Sequence, residues 1–213
     1  MAMRGLSIKP RIRVVAGHRI DTDRLLLRSP RIDDANEISR LLGNLSVAHW
    51  LVRVPYPYRP EHARAWVHRS AEERAAGIGW PFLILSRDGR TVMGSMDLSI
   101  EDNPATASLG YWLGEPFWGF GYASEAAEAV IAFGFETLKL RQVTASALPD
   151  NARSIRVLEK AGFAYIGNRP EDTVERGRVD TAFFAVESAD WRRVGVVGQD
   201  RAPRRRPWGW SGA

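Results

Sequence analysis

Residues 109–126 read LGYWLGEPFWGFGYASEA and join a predicted strand, residues 105–113, to a predicted helix, residues 122–138. Gly119 and Gly121 stand two positions apart where the strand gives way to the helix. Glycine lets backbone N–H groups approach a ligand closely, and the start of a helix attracts anions. The loop is therefore suited to bind a phosphate or pyrophosphate. A rigid turn, in which the glycines only relieve crowding, explains the same pattern.

The loop does not match two well-known phosphate-binding patterns. The nucleotide P-loop ends in Gly-Lys-Ser or Gly-Lys-Thr, and no such triplet follows Gly121. The dinucleotide fingerprint needs a third small residue, where Ser124 stands, and an acidic residue about twenty positions on at a strand end. Glu136 lies on the predicted helix instead, so the fit is poor.

Upstream of this loop, hydrophobic periodicity and turn residues predict a mixed set of elements. Two aspartates open a helix that ends near Leu42, where acidic side chains suit the helix dipole. Three prolines between residues 43 and 60 exclude a regular element there, and we expect a loop over the body. Asp88 and Gly89 indicate a hairpin between two apolar runs. The predicted strands are residues 25–27, 81–86, 91–100 and 105–113, and the predicted helices are residues 33–42 and 61–76.

Downstream of the loop, helices alternate with strands. The helix over residues 152–161 is capped by Asp150 or Asn151 and stopped by Gly162. The predicted strands are residues 142–148, 163–168 and 181–187. Strands joined first by hairpins and then by helices predict an α/β fold with a mixed sheet.

Composition excludes several classes of protein. The chain has 213 residues, and a hydrophobic share of 45% is enough for one packed core. No apolar run approaches the roughly 20 residues that a bilayer requires, and the basic N-terminus has no apolar segment of a secretory signal behind it. The absence of cysteine excludes disulfides and a cysteine nucleophile. We expect a cytoplasmic protein without membrane contact.

The net charge of +5 is unevenly distributed. Both ends are basic, and the body between them is acidic, which favours a cationic substrate such as an amine. The expected parts are a basic N-terminal extension over residues 1–19, a domain over 20–191, and an Arg-rich, weakly ordered tail over 192–213. The basic ends could contact nucleic acid or the ribosome, although solvated tails explain the same composition.

Three segments together carry a family resemblance. Residues 110–113 (GYWL), 118–126 (WGFGYASEA) and 151–163 (NARSIRVLEKAGF) resemble, in order and spacing, the GNAT superfamily of N-acetyltransferases. Within it they are most similar to the RimJ/RimL branch, which acetylates N-termini of ribosomal proteins. The upstream segments RLLLR (residues 24–28) and PYPY (residues 55–58) fit the same branch. The resemblance covers about residues 20–190.

The resemblance implies a fold and a reaction. The fold is a single α/β domain with a mixed, mostly antiparallel sheet that is splayed at the cofactor site and carries helices on both faces. The reaction transfers the acetyl group of acetyl-CoA to a primary amine, on a protein N-terminus or a small molecule. The implied cofactor-binding residues are Trp112, Leu113, Gly119, Phe120, Gly121, Tyr122, Ala123, Ser124, Asn151 and Ser154.

Each block has an implied role. Trp112 and Leu113 end the splayed strand, whose free backbone groups pair with pantetheine. Backbone amides of residues 119–124 bind pyrophosphate. Asn151 contacts the pantetheine arm and also caps its helix, and Ser154, one turn further on, is the implied proton donor to the leaving thiolate.

The chain departs from the family pattern at four positions. Trp118 replaces the frequent Gln or Arg of the loop, and Phe120 replaces a polar residue, but both changes keep the backbone donors. Leu158 stands where many relatives have a tyrosine acid, which leaves Ser154 or water as donor. Ser108 stands where relatives often have a glutamate, so the family pattern does not identify the general base in this chain.

The remaining candidates follow from the reaction. Without cysteine no acetyl-cysteine enzyme can form, and direct transfer to the amine in a ternary complex is the default. A base must accept the amine proton, directly or through water. Candidate bases are Asp97, Glu101, Glu115 and His49. The candidate acceptor pocket consists of Trp50, Tyr56, Tyr58 and Asp97.

The sequence also yields expectations on metal binding and assembly. No His, Asp and Glu cluster has metal-ligand spacing, so we expect no metal. The expected assembly is a monomer or homodimer. The alternative function is a catalytically degenerate module that binds acetyl-CoA or associates with nucleic acid.

Overall fold

The computed structural model describes residues 13–15, 19–174 and 177–194, with side chains from residue 19 to 191. Within these residues nine strands form one sheet. The strands are β1 (Arg13–Val15), β2 (Arg19–Asp21), β3 (Leu25–Arg28), β4 (Gly79–Ser86), β5 (Val92–Ile100), β6 (Thr106–Leu113), β7 (Gln142–Ala147), β8 (Ala164–Thr173) and β9 (Gly177–Glu187). The helices are α1 (Ala35–Leu42), α2 (Leu45–Ala48), α3 (Pro60–Ala75), α4 (Tyr122–Glu136), α5 (Ala152–Lys160) and α6 (Ser188–Val194).

The sheet is mostly antiparallel. Its strand order is β1-β2-β3-β4-β5-β6-β7-β9-β8, and β6 with β7 is the one parallel pair among the described strands. A parallel pair needs a crossover connection, which α4 provides between these two strands. The predicted mixed, mostly antiparallel α/β sheet is therefore confirmed.

Helices cover both faces of the sheet, as expected. Strand β4 shows why, because its side chains alternate between two apolar layers. Phe82 and Ile84 pack in the layer that includes α4 and α5, whereas Leu83 and Leu85 pack in the layer that includes α1 and α3. All four side chains are buried, so the centre of the sheet is enclosed on both sides.

The prediction that residues 43–60 contain no regular element is wrong, because a single helical turn forms within this segment. Residues 45–48 form α2, and the side-chain oxygen of Asn44 caps it by accepting a hydrogen bond from the Ser46 N–H at 2.9 Å. The prolines begin only at Pro55, so they do not prevent helix formation before it.

The last two strands are longer than their patterns predict. Strand β8 runs to Thr173 and β9 starts at Gly177, although the residues near this turn are charged and show no alternation. Pro170 lies within β8, which is tolerated because β8 is an edge strand.

The sequence predicts tails at both chain ends. Strand β1 lies within the segment expected to be an extension and pairs with β2, and α6 extends to Val194. Most of the tail, residues 195–213, lies outside the described residues, as do the residues that would test a nucleic-acid contact. None of the described helices has the length and apolar character needed to cross a membrane.

Candidate active site

The parallel strands β6 and β7 separate at one end. Their register runs from Thr106 opposite Gln142 to Leu109 opposite Ala145, while β6 continues to Leu113 with no paired strand on this side among the described residues. Strand β5 still pairs with β6 as far as Leu113 on the other side. The backbone N–H groups of β6 that face the gap are thus available to an extended ligand, which could pair with them as another strand would. The Leu113 carbonyl oxygen already accepts a hydrogen bond from Trp118 Nε1 at 2.8 Å. The predicted splay is present.

The glycine loop lies at the mouth of this gap. Gly119 and Gly121 have φ angles of +86° and +81°, which L side chains rarely adopt, and Gly121 is the N-cap residue of α4. The first N–H groups of a helix have no partner within the helix. In α4 these belong to Tyr122, Ala123 and Ser124, all of which line the adjoining cleft. The loop can therefore hold an anion by backbone donors alone.

Arg24 ties the start of β3 to this loop. Its Nε donates to Glu125 Oε2 at 2.6 Å, and its Nη1 donates to the Phe120 carbonyl oxygen at 2.9 Å. Glu125 is buried in the first turn of α4, where it also accepts hydrogen bonds from Thr22 Oγ1 and the Arg24 N–H. The guanidinium lies 4.7 Å from the centre of the Tyr122 ring. These contacts fix the loop against the sheet.

We predict that Arg24→Ala weakens cosubstrate binding without unfolding the protein. Loss of the Phe120 contact frees the loop, so the KM for acetyl-CoA should rise by about tenfold, the effect of one charge-assisted hydrogen bond. Steady-state kinetics measures this change. Arg40→Ala removes an exposed pair with Glu37 away from the loop and serves as control. An equal KM rise in both variants would contradict the assignment.

Helix α5 brings two predicted residues to the gap. Asn151 caps the helix, since its Oδ1 accepts a hydrogen bond from the Ser154 N–H at 3.1 Å. The Ser154 hydroxyl lies 2.6 Å from the hydroxyl of Tyr111 on β6. Leu158 of the same helix is fully buried in the core and offers no proton.

Asp97 lies on β5 directly opposite Gly110 of β6. A Cβ atom at position 110 would come within 3.1 Å of the Asp97 carboxylate, so the glycine makes room for it. Burial raises the pKa of Asp97 to about 7; the nearby Glu73 also raises it, while a hydrogen bond from Ser99 and the charge of Arg53 oppose the rise. A carboxylate with this pKa can accept a proton near neutral pH.

One cleft of about 1130 Å³ connects these features. On β5, Asp97 stands between Met96 and Leu98, which pack in the layer of α4 and α5, so its side chain faces the layer of α1 and α3. Ser154 lies on α5, on the opposite side of the sheet, and both residues line the cleft. The predicted residues that line the cleft are Trp50, Tyr58, Asp97, Glu101, Trp112, Leu113, Gly119, Gly121, Tyr122, Ala123, Ser124, Asn151 and Ser154.

The structure does not bring every candidate to this cleft. Glu115 accepts a hydrogen bond from Asn44 at 2.6 Å and lines a smaller neighbouring pocket together with His49. Both residues lie after the end of a strand or in a loop, where sequence alone cannot fix a direction. Tyr56 is 40% exposed and Phe120 is 62% exposed, and neither lines the cleft. Phe120 contributes its carbonyl oxygen to Arg24 instead.

Sequence reasoning missed several groups of the cleft. Tyr111 falls within the quoted GYWL segment, but its contact with Ser154 spans 43 positions of the chain. Glu73 and Arg53, which act on Asp97, come from α3 and the loop before it, and nothing in their local pattern marks them. Glu101 was a candidate base and does line the cleft, where it accepts a hydrogen bond from Thr144.

The described side chains contain no group of three or more His, Cys, Asp or Glu residues placed to bind a metal ion. The residues of the site fit acetyl-CoA instead: an open strand edge for the amides of pantetheine and a helix start for its diphosphate.

Comparison with known proteins agrees with this geometry. The family model described as "Acetyltransferase (GNAT) domain" matches residues 24–164, and the chain belongs to this family. The N-acetyltransferase p20 of Bacillus licheniformis is 28% identical over 167 residues, which cover 78% of this chain and 93% of the relative. The protein is thus an acetyl-CoA-dependent N-acetyltransferase.

Solved structures share the fold. Mycobacterium smegmatis RimJ in complex with CoA-disulfide superposes with a TM-score of 0.71 at 20% identity, covering 88% of this chain and 91% of RimJ. The ribosomal-protein-S5-alanine acetyltransferase of Vibrio fischeri has a TM-score of 0.70 at 18% identity, covering 81% of this chain and 98% of that protein.

Proposed function

We propose that this enzyme acetylates the N-terminal amino group of a protein or peptide, by direct attack while both substrates are bound. The observation that carries the proposal is the place of Asp97, a carboxylate with a pKa of about 7 in the cleft beside the splayed strands. The ribosomal-protein acetyltransferase from Vibrio fischeri, with the same fold, supports this class of acceptor. On this proposal the enzyme works in the cytoplasm, where acetyl-CoA and new polypeptide N-termini meet.

Acetyl-CoA binds through backbone groups in this proposal. The N–H groups from Gly119 to Ser124 hold the diphosphate, and the open edge of β6 at Leu113 pairs with the pantetheine arm. The backbone of Trp112 faces β5 instead, opposite Ser95, so Trp112 is not part of this edge. Asn151 lies beside the same arm. When bound, acetyl-CoA supplies a thioester whose carbonyl carbon is open to attack by an amine.

Asp97 accepts the proton that the amine loses on attack, either directly or through one water molecule. The backbone N–H groups at the end of β6 stabilise the negative charge that develops on the carbonyl oxygen. Ser154, on the opposite side of the gap, donates a hydrogen bond to the departing sulfur. The chain has no cysteine, so no acetyl-cysteine enzyme can form, and transfer is direct.

Paired peptides test the acceptor class. Peptides that begin with alanine or serine should release CoA from acetyl-CoA in the presence of the enzyme, and mass spectrometry should place the acetyl group on the N-terminus. The same peptides with a blocked N-terminus should be inert. A panel of small-molecule amines is assayed in parallel. Turnover of small amines without turnover of any free peptide would overturn the proposal.

The Asn151 side chain allows a test that separates capping from binding. Asn151→Asp keeps the oxygen that caps α5 but replaces the amide N–H₂ donor, so we expect an unchanged Tm. The KM for acetyl-CoA should rise by about tenfold, because one donor is lost next to an anionic ligand. Asn151→Ala, the comparison variant, loses the cap as well and should lower the Tm. A wild-type KM for the aspartate variant would show that Asn151 caps α5 but does not bind acetyl-CoA through its amide.

A further inference from the structure

The side chain of Tyr111 extends from β6 toward α5, where its hydroxyl contacts two oxygen atoms of the same residue, Ser154. Its hydroxyl lies 2.6 Å from Ser154 Oγ and 3.1 Å from the Ser154 carbonyl oxygen. The ring is partly buried against the core that includes α4 and α5. Burial raises the pKa of Tyr111 to about 12, while the hydrogen bond with Ser154 lowers it in part. The phenol therefore keeps its proton throughout the working pH range.

Each of the two hydroxyls has a single proton, and this permits two arrangements. In one, Tyr111 donates to the Ser154 carbonyl oxygen, and Ser154 donates to Tyr111. The serine hydroxyl then donates its proton to the tyrosine oxygen and cannot donate to a ligand in the cleft. In the other, Tyr111 donates to Ser154 Oγ, and the serine proton is left to point into the cleft that Ser154 lines.

We propose that Tyr111 is a positioning residue that donates to Ser154 Oγ and thereby directs the serine hydroxyl at the departing sulfur. The inference rests on the proposed function and deepens it. When the C–S bond breaks, its electron pair stays on sulfur and accepts the Ser154 hydrogen bond. The amine proton goes to Asp97, and Tyr111 and Ser154 both keep their protons. The phenol strengthens the serine as a donor because hydrogen bonds in a chain polarise one another.

Leu158, one turn after Ser154 on α5, is an alkyl side chain buried in the core and offers no proton. Tyr111 brings a phenol to the same side of the gap from the neighbouring strand. Tyr111 itself lines the cleft, and its hydroxyl makes both contacts described above with Ser154.

A double-mutant cycle tests the inference. Tyr111→Phe keeps the ring and removes the hydroxyl, and Ser154→Ala removes its partner. We expect each single variant to lower kcat by about ten- to a hundredfold, near the lower range for loss of a proton-donating group, with little change in the KM for acetyl-CoA. The double variant should be no slower than Ser154→Ala, because Tyr111 acts only through the serine. Tyr165→Phe, which loses an exposed hydrogen bond to Asn168, is the control and should keep wild-type kcat.

The other outcomes are separable. Independent, multiplicative losses in the double variant, or a wild-type kcat for Tyr111→Phe, would overturn the inference while leaving the proposed function intact. Failure of the wild-type enzyme to acetylate any amine would instead remove the proposed function, and the inference with it. A packing effect of Tyr111→Phe would persist in the Ser154→Ala background and would lower the Tm there, which also counts against the inference.

Discussion

Gly121→Val is expected to weaken acetyl-CoA binding by about a hundredfold or more, the loss of one to two charge-assisted backbone hydrogen bonds. Gly121 has a φ of +81°, a conformation that a β-branched residue strongly resists. Valine therefore either distorts the start of α4 or places its methyl groups where the diphosphate approaches. Isothermal titration calorimetry with acetyl-CoA measures the effect.

The matched control is Gly77→Val. Gly77 also has a positive φ, +71°, with open space where a Cβ would lie, and it follows α3 rather than the loop. Both variants should lose some stability from backbone strain, whereas Gly77→Val should bind acetyl-CoA normally. A folded Gly121→Val protein with wild-type affinity would show that the glycine loop does not hold the cosubstrate.

Asp97→Asn is expected to lower kcat/KM for the acceptor by about a hundredfold or more, within the range for loss of a general base. The wild-type profile should show an ascending limb as Asp97 loses its proton, at a pKa of about 7. This limb should stay in place for two acceptors whose amine pKa values are about 8 and about 10.4, whereas a limb set by the amine would move. Initial rates across pH measure both quantities.

Glu101→Gln is the control for this variant, since Glu101 is the other candidate base in the cleft and hydrogen-bonds to Thr144. It should keep most of the activity. If Glu101→Gln were the inactive variant and Asp97→Asn the active one, the base would be Glu101 and the present assignment would be contradicted.

The stability of Asp97→Asn should change in the opposite direction from its activity. The folded protein holds the Asp97 proton up to about pH 7, while the unfolded chain releases it near the ordinary pKa of 3.8. Between these values the folded state binds more protons, so wild-type stability falls as pH rises. The asparagine variant lacks this decline, and its Tm relative to wild type should therefore be higher at pH 8 than at pH 4. Thermal melting at both values provides the comparison.

The part of the site that could be predicted from sequence is the part built by local structure. A glycine loop between a strand and a helix, and an asparagine before a helix, are determined by neighbouring residues. The predicted Gly119, Gly121 and Asn151 accordingly lie at the gap that the structure shows.

The proposed proton acceptor and proton donor depend on contacts that are distant in sequence. Asp97 is distinguished from other carboxylates by its register with Gly110, and Ser154 by its contact with Tyr111. Neither relation has a local pattern. Glu115 illustrates the converse, because it stands next to the splayed strand in sequence but turns away to Asn44.

The most direct test of the account measures CoA release and acetylated acceptor together, in initial-rate experiments that vary acetyl-CoA and a peptide amine. Direct transfer at one cleft predicts equal amounts of both products and double-reciprocal lines that intersect, because both substrates must be bound before either product leaves. Parallel lines would indicate an acetylated enzyme intermediate. Tight binding of acetyl-CoA without release of CoA for any amine would show that the cleft binds the cosubstrate but performs no transfer.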